Sequence, residues 1–369
     1  MLSVRLIEPQ REHEALRERL VEAFKETLDS GRYILGPSVR AFEDDLQARY
    51  QAKRALAVKS GTDALLLSLM TLGIGEGDEV ITTPFTFFAT AGAIARLGAR
   101  PVFVDIGDDL LLDPALAGDA IGPSTRAIIA VHLFGEAQDL SELLSISRAQ
   151  GVALIEDAAQ AEGARSPSGE LAGAIGDFGC FSYFPTKNLG ALGDGGAILI
   201  RDEAHYERAK RLRAHGAHPK YTHHEIGGNF RMDELTAALL SVKRASMDAR
   251  IERRMANARD YIERLGGVDP SLLKLPAPRP SHSFNIFTLR TPRRDALREA
   301  LHEAGVESAI YYPSPLHLQP CFSALGYREG SLPNAERASS EVLSIPVHPD
   351  LTSEELEHVA STILRFFER

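Results

Sequence analysis

The chain has 369 residues, of which 44% are hydrophobic and 25% are charged, and its formal net charge at pH 7 is −10. This composition is typical of a globular protein rather than a disordered one, and the acidic balance argues against nucleic acid as a general partner. Its 2 cysteines are too few for a disulfide framework, and neither a signal peptide nor an apolar run of membrane-spanning length is evident. We therefore expect a cytoplasmic protein without a membrane partner, long enough for two domains.

Helical and apolar segments alternate through the first part of the chain. An amphipathic helix is predicted through about Leu28, and a second one begins at Ser38. The predicted strands that follow lie at 55–58, 79–82, 100–104, 127–131 and 151–155, and the predicted helices at 64–72, 90–97 and 140–150. Several of the strands are continuous apolar runs, as expected of a parallel sheet buried on both faces. The sequence therefore predicts an α/β fold with a mostly parallel sheet.

Ligands of such sheets bind beyond the carboxyl ends of the strands. Four candidate residues fall there: Thr62, Phe87, Asp157 and Ser182. Gly61 permits close approach of the backbone, and the amides around Thr62 can bind an anion at a helix start. A plain helix N-cap at Thr62 or Asp63 explains the same residues.

Asp157 follows a buried strand in an apolar context. A carboxylate there is costly unless a cation or several hydrogen bonds compensate for its burial. The protonated nitrogen of a pyridine ring would supply such a cation. A helix N-cap at Asp157 is the alternative interpretation of this residue.

A lysine lies in a Gly-rich turn between two apolar segments. Phe178–Phe184 and Ala197–Ile200 predict strands, and Pro185 and Lys187 lie in the turn that joins them. Desolvation in a packed turn lowers the pKa of an amine and favours its neutral form, which Schiff-base chemistry requires. A single loop lysine is nonetheless usually a solvated charge, so the surrounding motifs decide between these interpretations.

A histidine-rich loop follows, and beyond it the composition changes. The loop contains His215, His218, Lys220, His223 and His224. The spacing of its histidines matches no zinc pattern, so we expect no metal site and interpret the loop as an anion-binding lid.

The last third of the chain predicts a second domain. A charged helix is predicted at 246–265, a Pro-rich linker at 270–280, a strand at 282–289 and helices at 293–304 and 351–367. We expect a large domain at residues 1–245 and a small C-terminal α+β domain at residues 246–369, with the boundary inside the charged helix.

Five motifs of this chain, in this order, resemble those of the DegT/DnrJ/EryC1/StrS aminotransferases. They are residues 31–37, Ser60-Gly-Thr-Asp-Ala64, Glu156-Asp-Ala-Ala-Gln160, residues 182–190 around Lys187, and Gly228-Asn-Phe-Arg-Met232. The resemblance covers nearly the whole chain. It implies a fold-type I enzyme that uses pyridoxal 5′-phosphate (PLP) and moves an amino group, usually from glutamate, to a UDP- or dTDP-linked keto sugar.

The resemblance also implies a role for individual residues. Lys187 would carry PLP as a Schiff base, and Asp157 would pair with its ring nitrogen. Gly61, Thr62 and Ser182 would hold the phosphate, together with Asn229 from the other subunit of a homodimer with shared active sites. Phe87 or Phe88 would stack on the ring, Gln160 would lie beside it, and Lys220, Tyr312 and His317 are candidates for binding the substrate.

Three other functions compete with this interpretation. A dehydratase of the same family has histidine in place of the Schiff-base lysine, so Lys187 argues against it. A PLP-binding regulatory protein without turnover would have no use for the Lys187–Asp157 pair. An aminotransferase for a cyclitol ketone stays open, because the choice of acceptor depends on the shape of loops.

Overall fold

The computed structural model describes residues 2–277, 279 and 281–368, and its largest element is a seven-stranded sheet. The strands are Arg54–Val58 (β1), Glu79–Thr82 (β2), Arg100–Phe103 (β3), Thr125–Val131 (β4), Ala153–Asp157 (β5), Phe178–Ser182 (β6) and Gly196–Ile200 (β7). They lie in the order β1-β7-β6-β5-β4-β2-β3. β7 alone runs in the opposite direction to the other six strands. The predicted, mostly parallel α/β sheet is confirmed.

Helices follow most of the strands. They are Pro9–Ser30 (α1), Pro37–Tyr50 (α2), Gly61–Leu72 (α3), Ala89–Arg96 (α4), Pro114–Asp119 (α5), Ser141–Gln150 (α6), Glu203–Leu212 (α7), Glu234–Arg244 (α8), Met247–Leu265 (α9), Arg294–Glu303 (α10), Pro333–Glu341 (α11) and Ser353–Phe367 (α12). Short 3₁₀ helices lie at Leu133–Gly135, Leu316–Leu318 and Pro320–Leu325. Among the described residues, no helix has the length and apolar character needed to cross a membrane.

Both faces of the sheet are buried, as its apolar strands predict. Successive side chains of a strand point to opposite faces. In β1, Ala55 and Ala57 pack in a core with residues of α2 and α8, whereas Leu56 and Val58 pack with residues of α3 and α7. The loops after the strands are therefore held at the rim of a sheet that is covered on both sides.

A second, smaller sheet lies in the C-terminal part of the chain. Its strands, Phe287–Arg290 (β8) and Val342–Ile345 (β9), are antiparallel, and their apolar side chains share a core with residues of α9, α10 and α12. Val4 from the N-terminal segment is buried in the same core. The division into residues 1–245 and 246–369 stays a prediction, and residues 278 and 280 of the predicted linker lie outside the described part.

The predicted strand at 282–289 is wrong over its first half. Its backbone partners there belong to the short 3₁₀ helix Leu133–Gly135 and not to a strand, since Ser283 N donates to Gly135 O (2.8 Å) and Ile286 N to Phe134 O (3.1 Å). The regular strand begins only at Phe287. This connection places the chain just before β8 against the loop that follows β4.

Candidate active site

A cavity of about 650 Å³ lies beyond the carboxyl ends of β1, β2, β5 and β6. Because parallel strands end at the same edge of a sheet, the residues that follow them converge there. The predicted site residues that line this cavity are Gly61, Thr62, Phe87, Asp157, Gln160, Ser182, Lys187 and Tyr312. The structure thus gathers eight residues from distant parts of the sequence in one space.

Lys187 reaches the cavity from a tight turn after β6. The turn is closed by Lys187 N donating to Phe184 O (2.9 Å) and Ala191 N donating to Tyr183 O (2.7 Å). Gly190 is required there, because a Cβ atom at this position would lie 2.4 Å from Pro185 O. Burial lowers the pKa of the Lys187 amine to about 8, although the carboxylate of Asp157 opposes this shift. The neutral amine is therefore accessible near neutral pH.

Asp157 is the last residue of β5, and its side chain is buried. Its Oδ2 accepts a hydrogen bond from Thr90 Oγ1 (2.8 Å), and its Oδ1 accepts one from Ala159 N (3.2 Å). Burial raises the pKa of the carboxyl, and the two hydrogen bonds act against that rise. No helix starts after Asp157, so the N-cap interpretation of this residue is wrong.

The start of α3 forms a polar end of the cavity. Ser60 is the N-cap, because its Oγ accepts from Asp63 N (3.0 Å); the predicted cap at Thr62 or Asp63 is therefore wrong. Gly61 is the first helical residue and packs so closely on Ser182 that a Cβ atom would lie 2.6 Å from Ser182 Cβ. Free amides at a helix start beside a serine hydroxyl form a good site for a phosphate.

Aromatic and amide side chains form another wall of the cavity. Phe87 lines the cavity, with its ring 6.4 Å from that of Tyr312, whereas Phe88 lies against Phe322 (5.8 Å). This placement favours Phe87 over Phe88 as the residue that faces a bound ring. Gln160 accepts from Phe134 N (2.7 Å) and donates to the Tyr312 hydroxyl (3.1 Å), which fixes both side chains at the wall.

Three predicted residues lie elsewhere in the single chain. Asn229 and Lys220 are exposed, and Lys220 lies over the ring of Tyr221 (4.9 Å). His317 is buried with its Nε2 3.0 Å from Glu336 Oε1. None of the three lines the cavity, and their roles stay predictions. Within the described ranges, no group of three His, Cys, Asp or Glu residues is arranged to hold a metal ion.

Several residues of this region carry little or no signal in the sequence. Thr90 supports Asp157 from α4, while Arg254 and Asn285 line the cavity from the C-terminal part of the chain. Thr90 is the first residue of the predicted helix at 90–97 and lies three positions after Phe87, so its position gave a weak signal. Nothing in the sequence separates Arg254 from the other arginines of its helix.

The donor set fits a flat cationic ring with an anionic arm. A buried carboxylate can pair with a protonated ring nitrogen, a desolvated amine can attack an aldehyde, and the start of α3 can hold a phosphate. The absence of a side chain at Gly61 lets the start of α3 pack directly on Ser182, and Gly61, Thr62 and Ser182 all line the cavity at this corner. These features match PLP.

Comparison with known proteins agrees with this chemistry. The model of the DegT/DnrJ/EryC1/StrS aminotransferase family matches residues 14–364. The chain is 43% identical over 369 residues to a pleiotropic regulatory protein of Geobacillus stearothermophilus, with 99% of each chain covered. It is 41% identical over 358 residues to the dTDP-3-amino-3,4,6-trideoxy-alpha-D-glucose transaminase of Streptomyces venezuelae, with 97% of this chain and 94% of the relative covered. The crystal structure of S. venezuelae DesV in complex with a ketimine intermediate superimposes with a TM-score of 0.97 at 40% identity, covering 100% of both chains.

Proposed function

Since the chain belongs to the DegT/DnrJ/EryC1/StrS aminotransferase family, a group of PLP-dependent enzymes, we propose that it aminates a keto sugar linked to UDP or dTDP. Glutamate is the amino donor in this proposal. The observation that carries it is the convergence of Lys187, Asp157 and the start of α3 on one cavity. The relationship to a dTDP-sugar transaminase supports the choice of acceptor.

Different residues of the cavity would bind different parts of the cofactor. Lys187 Nζ would attach the cofactor, and the carboxylate of Asp157 would face the ring nitrogen and keep it protonated. The amides of Gly61 and Thr62, with the hydroxyl of Ser182, would bind the phosphate. When bound, PLP accepts the electrons that are released as a proton leaves the carbon bonded to nitrogen.

The residues of the chain then control the proton. The lowered pKa of Lys187 would leave its Nζ, when it is not attached to the cofactor, able to take a proton from the donor carbon. The hydrogen bonds from Thr90 and Ala159 would favour the charged form of Asp157. The same groups act in reverse on the keto sugar, so the two substrates would react one after the other with ping-pong kinetics.

We also propose a homodimer with shared active sites. Phe87, Phe184 and Leu192 are exposed around the cavity and its turn, and Ile226 is 93% exposed close to Asn229. Such side chains are suited to burial by a second subunit. Asn229 of one subunit would then donate to the phosphate held by the other subunit.

Mixed dimers test this arrangement. Asn229→Asp places a carboxylate against phosphate, so each homodimer of this variant should lose cofactor by repulsion, and Lys187→Ala should abolish turnover. A mixed dimer of the two contains one site with both native residues, so co-expression should restore part of the activity. Mixed dimers that form but stay inactive would show that Asn229 serves its own chain.

A regulatory function is the second candidate, because the relative with 43% identity is named a pleiotropic regulatory protein. Asp157 favours an enzyme, since a regulator that only binds PLP would not need a carboxylate that keeps the ring nitrogen protonated and able to accept electrons. A cyclitol ketone is the alternative acceptor, and the activity assay includes it.

The activity assay uses nitrogen-15 glutamate and a panel of keto compounds. The panel contains UDP- and dTDP-linked sugars with a ketone at the third or fourth ring carbon, and a cyclitol ketone. Mass spectrometry should find labelled nitrogen in one nucleotide-linked product, and Lys187→Ala should give none. Label in the cyclitol alone would identify that acceptor instead, and a cofactor-loaded protein that labels nothing would support the regulatory function.

A further inference from the structure

Arg254 places a positive charge on the wall of the active-site cavity. It belongs to α9 and lies among neutral lining residues, which include Asn285, Ile286 and Val347. The charged residues that line the cavity are Asp157, Lys187, Asp194 and Arg254. In the proposed function, Asp157 and Lys187 bind the cofactor, whereas no role is assigned there to Arg254.

No carboxylate among the described residues pairs with Arg254. Its Nη1 donates one long hydrogen bond, to Asn285 O (3.4 Å). The nearest candidates are engaged by the preceding turn of α9, where Arg250 contacts Glu12 (3.2 Å) and Asp350 (2.7 Å). Most N–H groups of the Arg254 guanidinium are therefore left for a ligand.

The charge of Arg254 is unfavourable without an anion. Burial, and then the nearby Arg250, lowers the pKa of Arg254 to about 10. The adjacent His348 adds no charge at neutral pH, because burial and Arg254 lower its pKa to about 4. An incoming carboxylate would compensate for this half-buried charge and could accept two parallel hydrogen bonds from the guanidinium.

A second polar group beside Arg254 also lacks a partner. Asn285 is only 7% exposed, and in the part of the chain that the structure describes its Oδ1 accepts no hydrogen bond. A buried amide oxygen without a hydrogen-bond partner is costly, so this corner of the cavity is polar but incompletely paired. The guanidinium of Arg254, on the wall beside Asn285, thus fits a ligand that carries a carboxylate.

We propose that Arg254 binds a carboxylate of the amino-acid donor and thereby selects carboxylate-bearing amines for the first half-reaction. This inference rests on the proposed function. Every amino-acid donor carries a carboxylate on the carbon that reacts with the cofactor, so an anion-binding group must share the cavity with Lys187. The diphosphate of a nucleotide sugar is the competing anion, but it is separated from the reacting carbon by part of the sugar ring.

The donor half-reaction tests this role without any sugar. PLP-loaded enzyme is mixed with increasing glutamate, and the absorbance change from the aldehyde to the amine form of the cofactor gives an apparent dissociation constant. Arg254→Gln should raise that constant on the order of 100-fold, the usual loss when one partner of a buried charge pair is removed. Arg254→Lys, which keeps the charge without the two-pronged geometry, should recover part of the loss.

The control is Arg253→Gln, which removes the same charge from the exposed neighbouring position. It should leave the constant for glutamate unchanged. Thermal unfolding and the cofactor spectrum check that the Arg254 variants fold and load. Calorimetric titration of the loaded variants with glutarate, which binds but cannot react, reports carboxylate binding directly and should show the same loss.

Each other outcome contradicts the inference. If Arg254→Gln binds glutamate and glutarate with the same dissociation constants as the wild type, Arg254 does not bind the carboxylate of the donor. If only the acceptor half-reaction weakens, starting from the amine form of the cofactor, Arg254 binds the sugar nucleotide instead. A wild-type protein that reacts with no amino acid would overturn the proposed function and this inference with it.

Discussion

Thr90→Val removes the hydroxyl that holds the carboxylate of Asp157. Thr90 Oγ1 lies 2.8 Å from Asp157 Oδ2 and 3.1 Å from Thr86 Oγ1. An ionised carboxylate can only accept, so Thr90 donates to Asp157 and accepts from Thr86. Valine has nearly the shape of threonine, so the change removes these two hydrogen bonds and little else.

The expected loss follows from the charge of the acceptor. A hydrogen bond to an ionised group contributes about 1.5–3 kcal/mol, which corresponds to roughly one to two units in the pKa of Asp157. Burial already raises that pKa, and losing the Thr90 bond raises it further. A carboxyl that is protonated more easily pairs less well with a cationic ring, so we expect PLP to bind ~10- to 100-fold more weakly.

The assay is PLP binding to the apoprotein as a function of pH. Binding should weaken as the pH falls through the pKa of Asp157, because the charged form of this carboxyl is required. This decline at low pH is the acid limb of the binding curve. In Thr90→Val this acid limb should shift to higher pH by roughly one to two units. Thr86→Val is the matched control, since it leaves the Thr90–Asp157 bond in place and should shift the limb little.

Two results would refute this reasoning. An unchanged acid limb in Thr90→Val would mean that Thr90 does not maintain the charge of Asp157. Equal effects in Thr86→Val and Thr90→Val would attribute the loss to packing in α4 rather than to the bond with Asp157.

Three further predictions concern the lysine, the start of α3 and the fold. The rate at which the apoprotein captures PLP, followed by absorbance, should rise with pH and level off above about 8, because the neutral amine of Lys187 is the form that reacts. If the rate reached half of its maximum only near pH 10.5, the ordinary pKa of lysine, the burial of Lys187 would be contradicted. Gly61→Ala should weaken PLP binding in a fluorescence titration at least ~10-fold, since the new Cβ atom would collide with Ser182. Gly193→Ala is the control, because a Cβ atom at position 193 would have open space around it, and this variant should bind PLP normally. Glu234→Gln should lower the free energy of unfolding, measured by urea titration, by about 1.5–3 kcal/mol. The reason is that the buried Glu234 carboxylate accepts hydrogen bonds from three backbone amides at the start of α2. An unchanged urea midpoint would show that those hydrogen bonds contribute nothing to stability.

Local patterns predicted the sheet and part of the cavity. The continuous apolar runs of β1, β4 and β5 can only be buried between helices, and a parallel sheet brings their ends together. The approach of the Lys187 turn to the cavity follows from its glycines and Pro185. These features depend on neighbours in sequence, so the sequence alone could show them.

Long-range contacts account for what the sequence analysis missed. Thr90 meets Asp157 across 67 positions of the chain, and no local pattern records that bond. Arg254 looks like any other arginine of a charged helix until the fold places it on the cavity wall. The strand at 282–289 was overpredicted for the same reason, because its backbone partners up to Ile286 belong to the 3₁₀ helix Leu133–Gly135, more than 140 positions earlier.

Borohydride reduction of the PLP-loaded protein, followed by peptide mapping, tests most directly whether the cavity around Lys187 holds the cofactor. Reduction fixes the cofactor on the residue that carries it. The structure predicts the mass of reduced cofactor on the peptide that contains Lys187, and Asp157→Asn should load less of it without changing its position. Reduced cofactor on any other lysine, with Lys187 unmodified, would contradict the account.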